Sequence, residues 1–181
     1  MEIIKSELNG ILLLKPSIFG DDRGVFFESF NQAVFNALVG SEIDFVQDNQ
    51  SISKKNVLRG FHFQAPPYAQ GKLVRVIKGK VIDMVIDIRK DSPTYGQTYS
   101  VELSEENQHL LWIPEGFAHG FYTLEDDTIF LYKCTKPYHK ASEGDVLWSD
   151  EAFDFYTMFE QPLVSDKDKI AKPFILLNSP F

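Results

Sequence analysis

The residues with the most chemistry to offer lie in one stretch, Asn56-Val57-Leu58-Arg59-Gly60-Phe61-His62-Phe63-Gln64, and Lys72 opens the apolar run that follows it. A histidine can take up a proton near neutral pH. A lysine can stabilise an oxygen on which negative charge develops. Joined by a tyrosine that returns a proton, the two suit proton abstraction next to a carbonyl, with an enolate as the intermediate. Inverting a carbon this way removes a proton from one face and returns it to the other. A base and a separate acid must therefore stand on opposite walls. In a strand, residues two apart share a face. His62 and Gln64 then point one way, and Phe61 and Phe63 the other. Arg59 has the wrong parity to join His62, but a glycine can bulge a strand, and Gly60 lies between them.

Such a pocket needs rigid walls, and the rest of the chain reads as strands. Turn signals recur every 8 to 12 residues from Phe45 onward, the pattern of a sandwich or barrel. Ile3-Ile4 and Ile11–Leu14 flank Asn9-Gly10 as a hairpin or as two edge strands. Phe19–Gly24 reads as a loop and Val25–Phe30 as a short strand. Asn31 caps a helix over Gln32–Val39 that Gly40 ends. Lys72–Ile77 and Lys80–Ile88 read as a hairpin about Lys78-Gly79. Gln97–Leu103, Gln108–Ile113, Gly120–Leu124 and Thr128–Cys134 are further strands. Asp150–Lys172 is mixed, with room for a short helix.

The 181 residues fit one domain with a substantial core. The net charge of -8 argues against nucleic-acid or anionic-membrane binding, and makes any phosphate site depend on a local cluster of Arg and Lys. No apolar run is long enough to span a membrane, and Met1–Leu14 lacks the pattern of a signal peptide. The single Cys134 excludes an internal disulfide and fits the cytoplasm.

Gly60-x-His62-x-Gln64 leading through Lys72 to Gly79, with Pro114-Glu115-Gly116-Phe117-Ala118-His119, resembles the paired motifs of the cupin jelly roll. Metal-binding cupins place three His and a carboxylate there. Here Gln64 replaces one His, and Lys72 lies close to the carboxylate's place. A lysine is a poor companion for a divalent cation. The expectation is an all-β, cupin-type jelly-roll barrel with short peripheral helices and neither metal nor other cofactor.

More specifically, the chain resembles the dTDP-4-dehydrorhamnose 3,5-epimerase family. The matched stretches include Phe19–Gly24 with Phe27-Glu28, Gln47-Asp48-Asn49, Asn56–Gln64, Gln70–Val74, Asp87-Ile88-Arg89 with Ser92-Pro93-Thr94, Trp112–Phe121, Leu131-Tyr132-Lys133 and Lys167-Asp168. The resemblance implies His62 as the base for C5 and then C3 of a dTDP-4-keto-6-deoxy sugar, paired with Asp168. It implies Tyr132 as the acid on the opposite face and Lys72 at the C4 oxygen. Arg23, Arg59 and Lys167 would bind the diphosphate, Arg23 from a partner subunit. Glu28, Gln47, Asp48 and Asn49 would contact the nucleoside. His119, Glu143 and Tyr138 complete the binding set. Members of the family are dimeric, so a homodimer with strands crossing between subunits is implied.

Taken singly, these residues read more plainly: His62 as a core histidine, Tyr132 as a strand aromatic, Lys72 as an exposed strand lysine. His139 reads as solvated, and Cys134 and His109 as structural. Alternatives to the double epimerase are a 3-only epimerase or 3,4-ketoisomerase on the same substrate, and a non-catalytic sugar-binding jelly roll. The chain departs from the family at Phe61, usually Leu, at Phe155-Tyr156, usually Trp-Pro, and at Val164, usually Leu.

Overall fold

The computed structural model describes residues 1–181, apart from the side chain of Tyr156. Two antiparallel sheets face each other. The first runs in the order β1 (Glu2–Glu7), β2 (Ile11–Lys15), β10 (Leu110–Ile113), β7 (Lys72–Lys78), β12 (Thr128–Cys134), β5 (Gln47–Ser53). The second runs β13 (Glu143–Asp145), β6 (Val57–Gln64), β11 (Phe117–Thr123), β8 (Lys80–Asp87), β9 (Thr98–Ser104). β14 (Leu163–Val164) joins the start of β6 in parallel. β3 (Ile18–Asp21) and β4 (Gly24–Phe27) form a separate ribbon. α1 (Gln32–Val39), α2 (Asp166–Lys169) and a few 3-10 turns are peripheral. The expected all-β jelly-roll barrel is what the chain forms. No helix among the described residues is long and apolar enough to cross a membrane.

The alternating residues sort into an inside and two outsides. Phe130 and Tyr132 of β12, Val74 and Val76 of β7, Val81 and Val85 of β8, and Phe117 and Phe121 of β11 meet inside the barrel. Leu73, Leu110 and Trp112 point outward from the first sheet and are covered by Phe35 of α1. That helix has the predicted bounds. The Asn31 side chain accepts from the Val34 N–H, and Gly40 ends the helix in the left-handed region at φ 77°. Leu58, Phe61, Phe63, Met84, Ile86 and Tyr122 point outward from the second sheet. The C-terminal segment covers them with Phe153, Phe155 and Phe181. Phe61 and Phe155, two of the departures from the family pattern, stack with ring centroids 5.3 Å apart. The larger ring at 61 thus has a partner at 155; the side chain at Tyr156 lies outside the described residues.

Two expectations are corrected. β7 and β8 do not form a hairpin. Both bury an apolar inner face, and the fold buries these against each other from opposite sheets instead of edge to edge. Gly79, at φ 77°, turns the chain across, and its N–H donates to Glu105 Oε1 at 3.0 Å. Phe19–Gly24 is not a loop but most of the β3–β4 ribbon. The ribbon projects from the barrel with Phe19 66% and Phe26 73% exposed.

Part of the family-like sequence proves structural. Asp87 is fully buried and accepts hydrogen bonds from Arg89 (2.6 and 2.9 Å), Ser92 (2.7 Å) and Thr94 (2.6 Å). These bonds pin the loop after β8 to the barrel. They also outweigh burial, so the carboxyl stays below its ordinary range.

Candidate active site

β6 and β11 run antiparallel with His119 opposite His62, but Phe121 lies opposite Arg59. Two steps on β11 thus match three on β6, which is a bulge at Gly60. A Cβ on Gly60 would fall 2.5 Å from Gly120 Cα, so only glycine lets the strands approach this closely. The bulge returns Arg59 to the side of His62, and both face one cavity.

The cavity has two lobes, of about 490 and about 380 Å³. Asn49, His62, Lys72 and Tyr132 line both lobes and form the waist between them. Arg59, His119, Lys167 and Asp168 line the larger lobe. Gln47, Tyr138 and Glu143 line the smaller. His62 comes from the second sheet, whereas Tyr132 and Lys72 come from the first. The imidazole and the phenol therefore enter the same space from facing walls.

His62 Nε2 lies 2.6 Å from Asp168 Oδ1. Asp168 is buried and belongs to α2, where its N–H donates to Ser165 Oγ at 3.1 Å. Burial opposes ionisation of Asp168. The hydrogen bond and charge of His62, with the Ser165 hydroxyl and the Gly60 N–H, outweigh it and hold the carboxyl below the usual range. Burial pushes the Lys72 ammonium down, against Cys134, Asp83 and Glu143, which hold it up. Burial pushes the Tyr132 phenol up, aided by Cys134 and opposed by Arg59. At neutral pH the phenol therefore carries its proton and can donate it. Burial likewise pushes the Asp83 carboxyl up, while His119 and Lys72 pull it back.

The lowered Asp168 sets a pH signature. A carboxyl whose folded-state pKa is depressed contributes stability that is present above its unfolded value, near about 4, and is lost as pH falls through the lower folded value. Asp168→Asn should therefore lower the urea midpoint at neutral pH, and its deficit should shrink below about pH 3. A deficit that is constant across that range would contradict the pairing.

Three expected binding residues lie away from the cavity. Arg23 sits at the tip of the β3–β4 ribbon, 89% exposed and paired with Asp21 at 2.5 Å. Glu28 is on the exposed segment after β4 and accepts from Asn31 Nδ2 at 3.1 Å. Asp48 has the opposite parity to Gln47 and Asn49 on β5, so it faces outward and holds Lys133 at 3.0 Å. Glu143 pairs with Lys167 and accepts from the Tyr138 hydroxyl at 3.3 Å, joining the two lobes at the mouth. Gln64 is a brace. It donates to the Tyr68 carbonyl at 2.7 Å and accepts from the His139 N–H at 2.8 Å. His139, expected to be solvated, stacks on Tyr68 at 3.9 Å. Among the described residues, no group of three or more His, Cys, Asp or Glu is disposed to hold a metal ion.

The family model described as dTDP-4-dehydrorhamnose 3,5-epimerase matches residues 5–175. The chain belongs to that family. A dTDP-4-dehydrorhamnose 3,5-epimerase from Salmonella typhimurium is 55% identical over 172 residues, covering 94% of each chain. The crystal structure of the dTDP-6-deoxy-D-glucose-3,5-epimerase from Legionella pneumophila, in complex with dTDP-4-keto-L-rhamnose, matches with a TM-score of 0.92 and 44% identity. That match covers 98% of this chain and 94% of the other. The epimerase from Bacillus anthracis, with TDP and PPi bound, matches with a TM-score of 0.92 and 42% identity over 95% of this chain and 98% of the other. Among features of the epimerase fold, sequence reading had missed Asp83. The signal was present: Asp83 lies between Val81 and Val85 at their parity, so it must face the barrel interior.

Proposed function

We propose that the chain epimerises dTDP-4-dehydro-6-deoxy-D-glucose at C5 and C3 to dTDP-4-dehydro-L-rhamnose, an isomerase reaction of dTDP-L-rhamnose biosynthesis. The observation that carries this reading is the entry of His62 and Tyr132 from facing sheets into one cavity, with Lys72 at its waist. Because Nε2 of His62 is engaged by Asp168, Nδ1 is the proton acceptor. It removes the proton from C5. The C–H electrons form the C4–C5 double bond, and the charge passes to the C4 oxygen beside the Lys72 ammonium. Tyr132 then delivers a proton to the opposite face of C5, and the electrons return to form the new C–H bond. Exchange of protons with solvent resets both groups, and the same sequence at C3 completes the reaction. No net redox change occurs, so no electron carrier is required.

Arg59 and Lys167 bind the diphosphate, and their grouping offsets the unfavourable net charge of -8. Gln47, Asn49, Tyr138 and Glu143 give the nucleoside its polar contacts, and His119 contacts the sugar. The enzyme works as a homodimer. The exposed apolar side chains of the β3–β4 ribbon and of β1 (Ile3 and Ile4) are what a second copy would cover. In that arrangement Arg23 and Glu28 complete the partner's cavity. The buried thiol of Cys134 suits a cytoplasmic setting.

Incubation of the keto-sugar nucleotide with the enzyme in D₂O tests the reading. Deuterium at both C3 and C5 of the product is expected. Deuterium at C3 alone would make the enzyme a 3-epimerase, and none at either carbon would make it a binding protein.

A further inference from the structure

A second imidazole in the cavity is also tied to a carboxylate. His119 stands opposite His62 on the neighbouring strand. Its Nε2 lies 3.0 and 2.9 Å from the two oxygens of Asp83. Asp83 is fully buried, and the steps above do not use it. One nitrogen nearly equidistant from two carboxylate oxygens is the geometry of an imidazole N–H donating to an ionised carboxylate. A neutral ring that donates from Nε2 has a bare lone pair at Nδ1. No group among the described residues hydrogen-bonds to Nδ1, and His119 lines the larger lobe.

We propose that Asp83 is a positioning residue: by accepting the Nε2 proton it presents Nδ1 of His119 as an acceptor for a hydroxyl of the keto-sugar ring. The inference rests on the reading of the cavity as a keto-sugar site. The charged groups around the larger lobe give it its purpose, beside the neutral oxygens of Asn49, Ser51 and Ser165 that also line it. Arg59, Lys72 and Lys167 have only N–H groups to offer. Asp83 and Asp168 are already engaged by imidazoles. A sugar hydroxyl has to donate its proton somewhere on leaving water. His119, held in this tautomer, supplies a neutral acceptor without adding a negative charge beside the place where the enolate forms.

The tautomer is read directly by nitrogen-15 NMR of histidine-labelled enzyme. For His119 the expected spectrum has Nε2 protonated and Nδ1 bare, and the Nδ1 resonance moves when the keto-sugar nucleotide binds but not with dTDP alone. Asp83→Asn keeps the shape but can offer its own N–H to Nε2, which turns the ring over into the Nδ1–H form. That variant should raise KM for the keto-sugar nucleotide about tenfold while changing the affinity for dTDP by less than about twofold. A protonated Nδ1 in the unaltered enzyme overturns the proposal, and so does an Asp83→Asn enzyme with unchanged KM. If Asp83→Asn does not fold, the spectrum of the unaltered enzyme decides alone. Failure of the functional reading would look different: no epimerisation by the unaltered enzyme, whatever the tautomer.

Discussion

A Tyr132→Phe enzyme should exchange the C5 and C3 protons of its substrate with solvent and yet invert neither carbon. The reason is the division of labour between the two sheets. His62 and Lys72 remain, so the enolate still forms on the His62 side. With no proton donor on the far side, the enolate can only be reprotonated by the imidazole it came from. Deuterium from the solvent therefore enters with retained configuration. A positioned general acid is worth roughly 10²–10⁴-fold, so epimerised product should fall by about that factor while exchange persists. The ring itself packs against Phe130, at 6.1 Å between centroids, and loss of the hydroxyl leaves that contact in place. Exchange lost together with inversion would show that the phenol is needed to form the enolate, and would overturn its assignment as the acid.

His62→Ala should abolish both exchange and inversion. Without the imidazole the cavity loses its base: Asp168 is buried on α2, and the free Nδ1 of His119 is taken up by a hydroxyl of the sugar ring in the arrangement proposed above. The loss in turnover should be at least about 10³-fold, toward the upper end for a positioned general base. The substitution also strands a buried carboxylate, and breaking a buried pair costs about 3–5 kcal/mol. His62→Gln, which keeps an amide near Asp168, separates the two effects. It should recover part of the unfolding midpoint and none of the activity. Retention of half of the turnover in His62→Ala would remove His62 from the reaction.

The parts of this account that follow from local chemistry were legible in the sequence. Asn31 and Gly40 bound α1 because each satisfies a helix end in a way few residues can. β12 has its predicted limits because Thr128, Phe130, Tyr132 and Cys134 alternate cleanly with outward residues. The bulge that turns Arg59 toward His62 was signalled by Gly60. What was not legible depends on which strands become neighbours. Gly79 reads equally well as a hairpin turn and as a crossing between sheets, and only the pairing of β7 with β10 and β12 decides. Gln47, Asp48 and Asn49 read as one polar run, although the period of a strand sends Asp48 to the opposite face. Asp168 lies 106 residues from His62, and no local pattern joins them. The family resemblance supplied that pairing where the residue types alone could not. Asp83 escaped notice for the converse reason: an acid within an apolar strand draws attention only once its parity with Val81 and Val85 is counted.

The central claim is that a keto-sugar ring sits between an imidazole and a phenol, with an ammonium at the oxygen between them. A crystal structure of the enzyme with a dTDP-linked sugar analogue tests it most directly. The account predicts His62 Nδ1 and the Tyr132 hydroxyl on opposite faces of the ring, each within about 3–4 Å of C5 or C3, and Lys72 Nζ within hydrogen-bond reach of the oxygen on C4. A ring with both groups on one face, or bound away from the waist of the cavity, would contradict it.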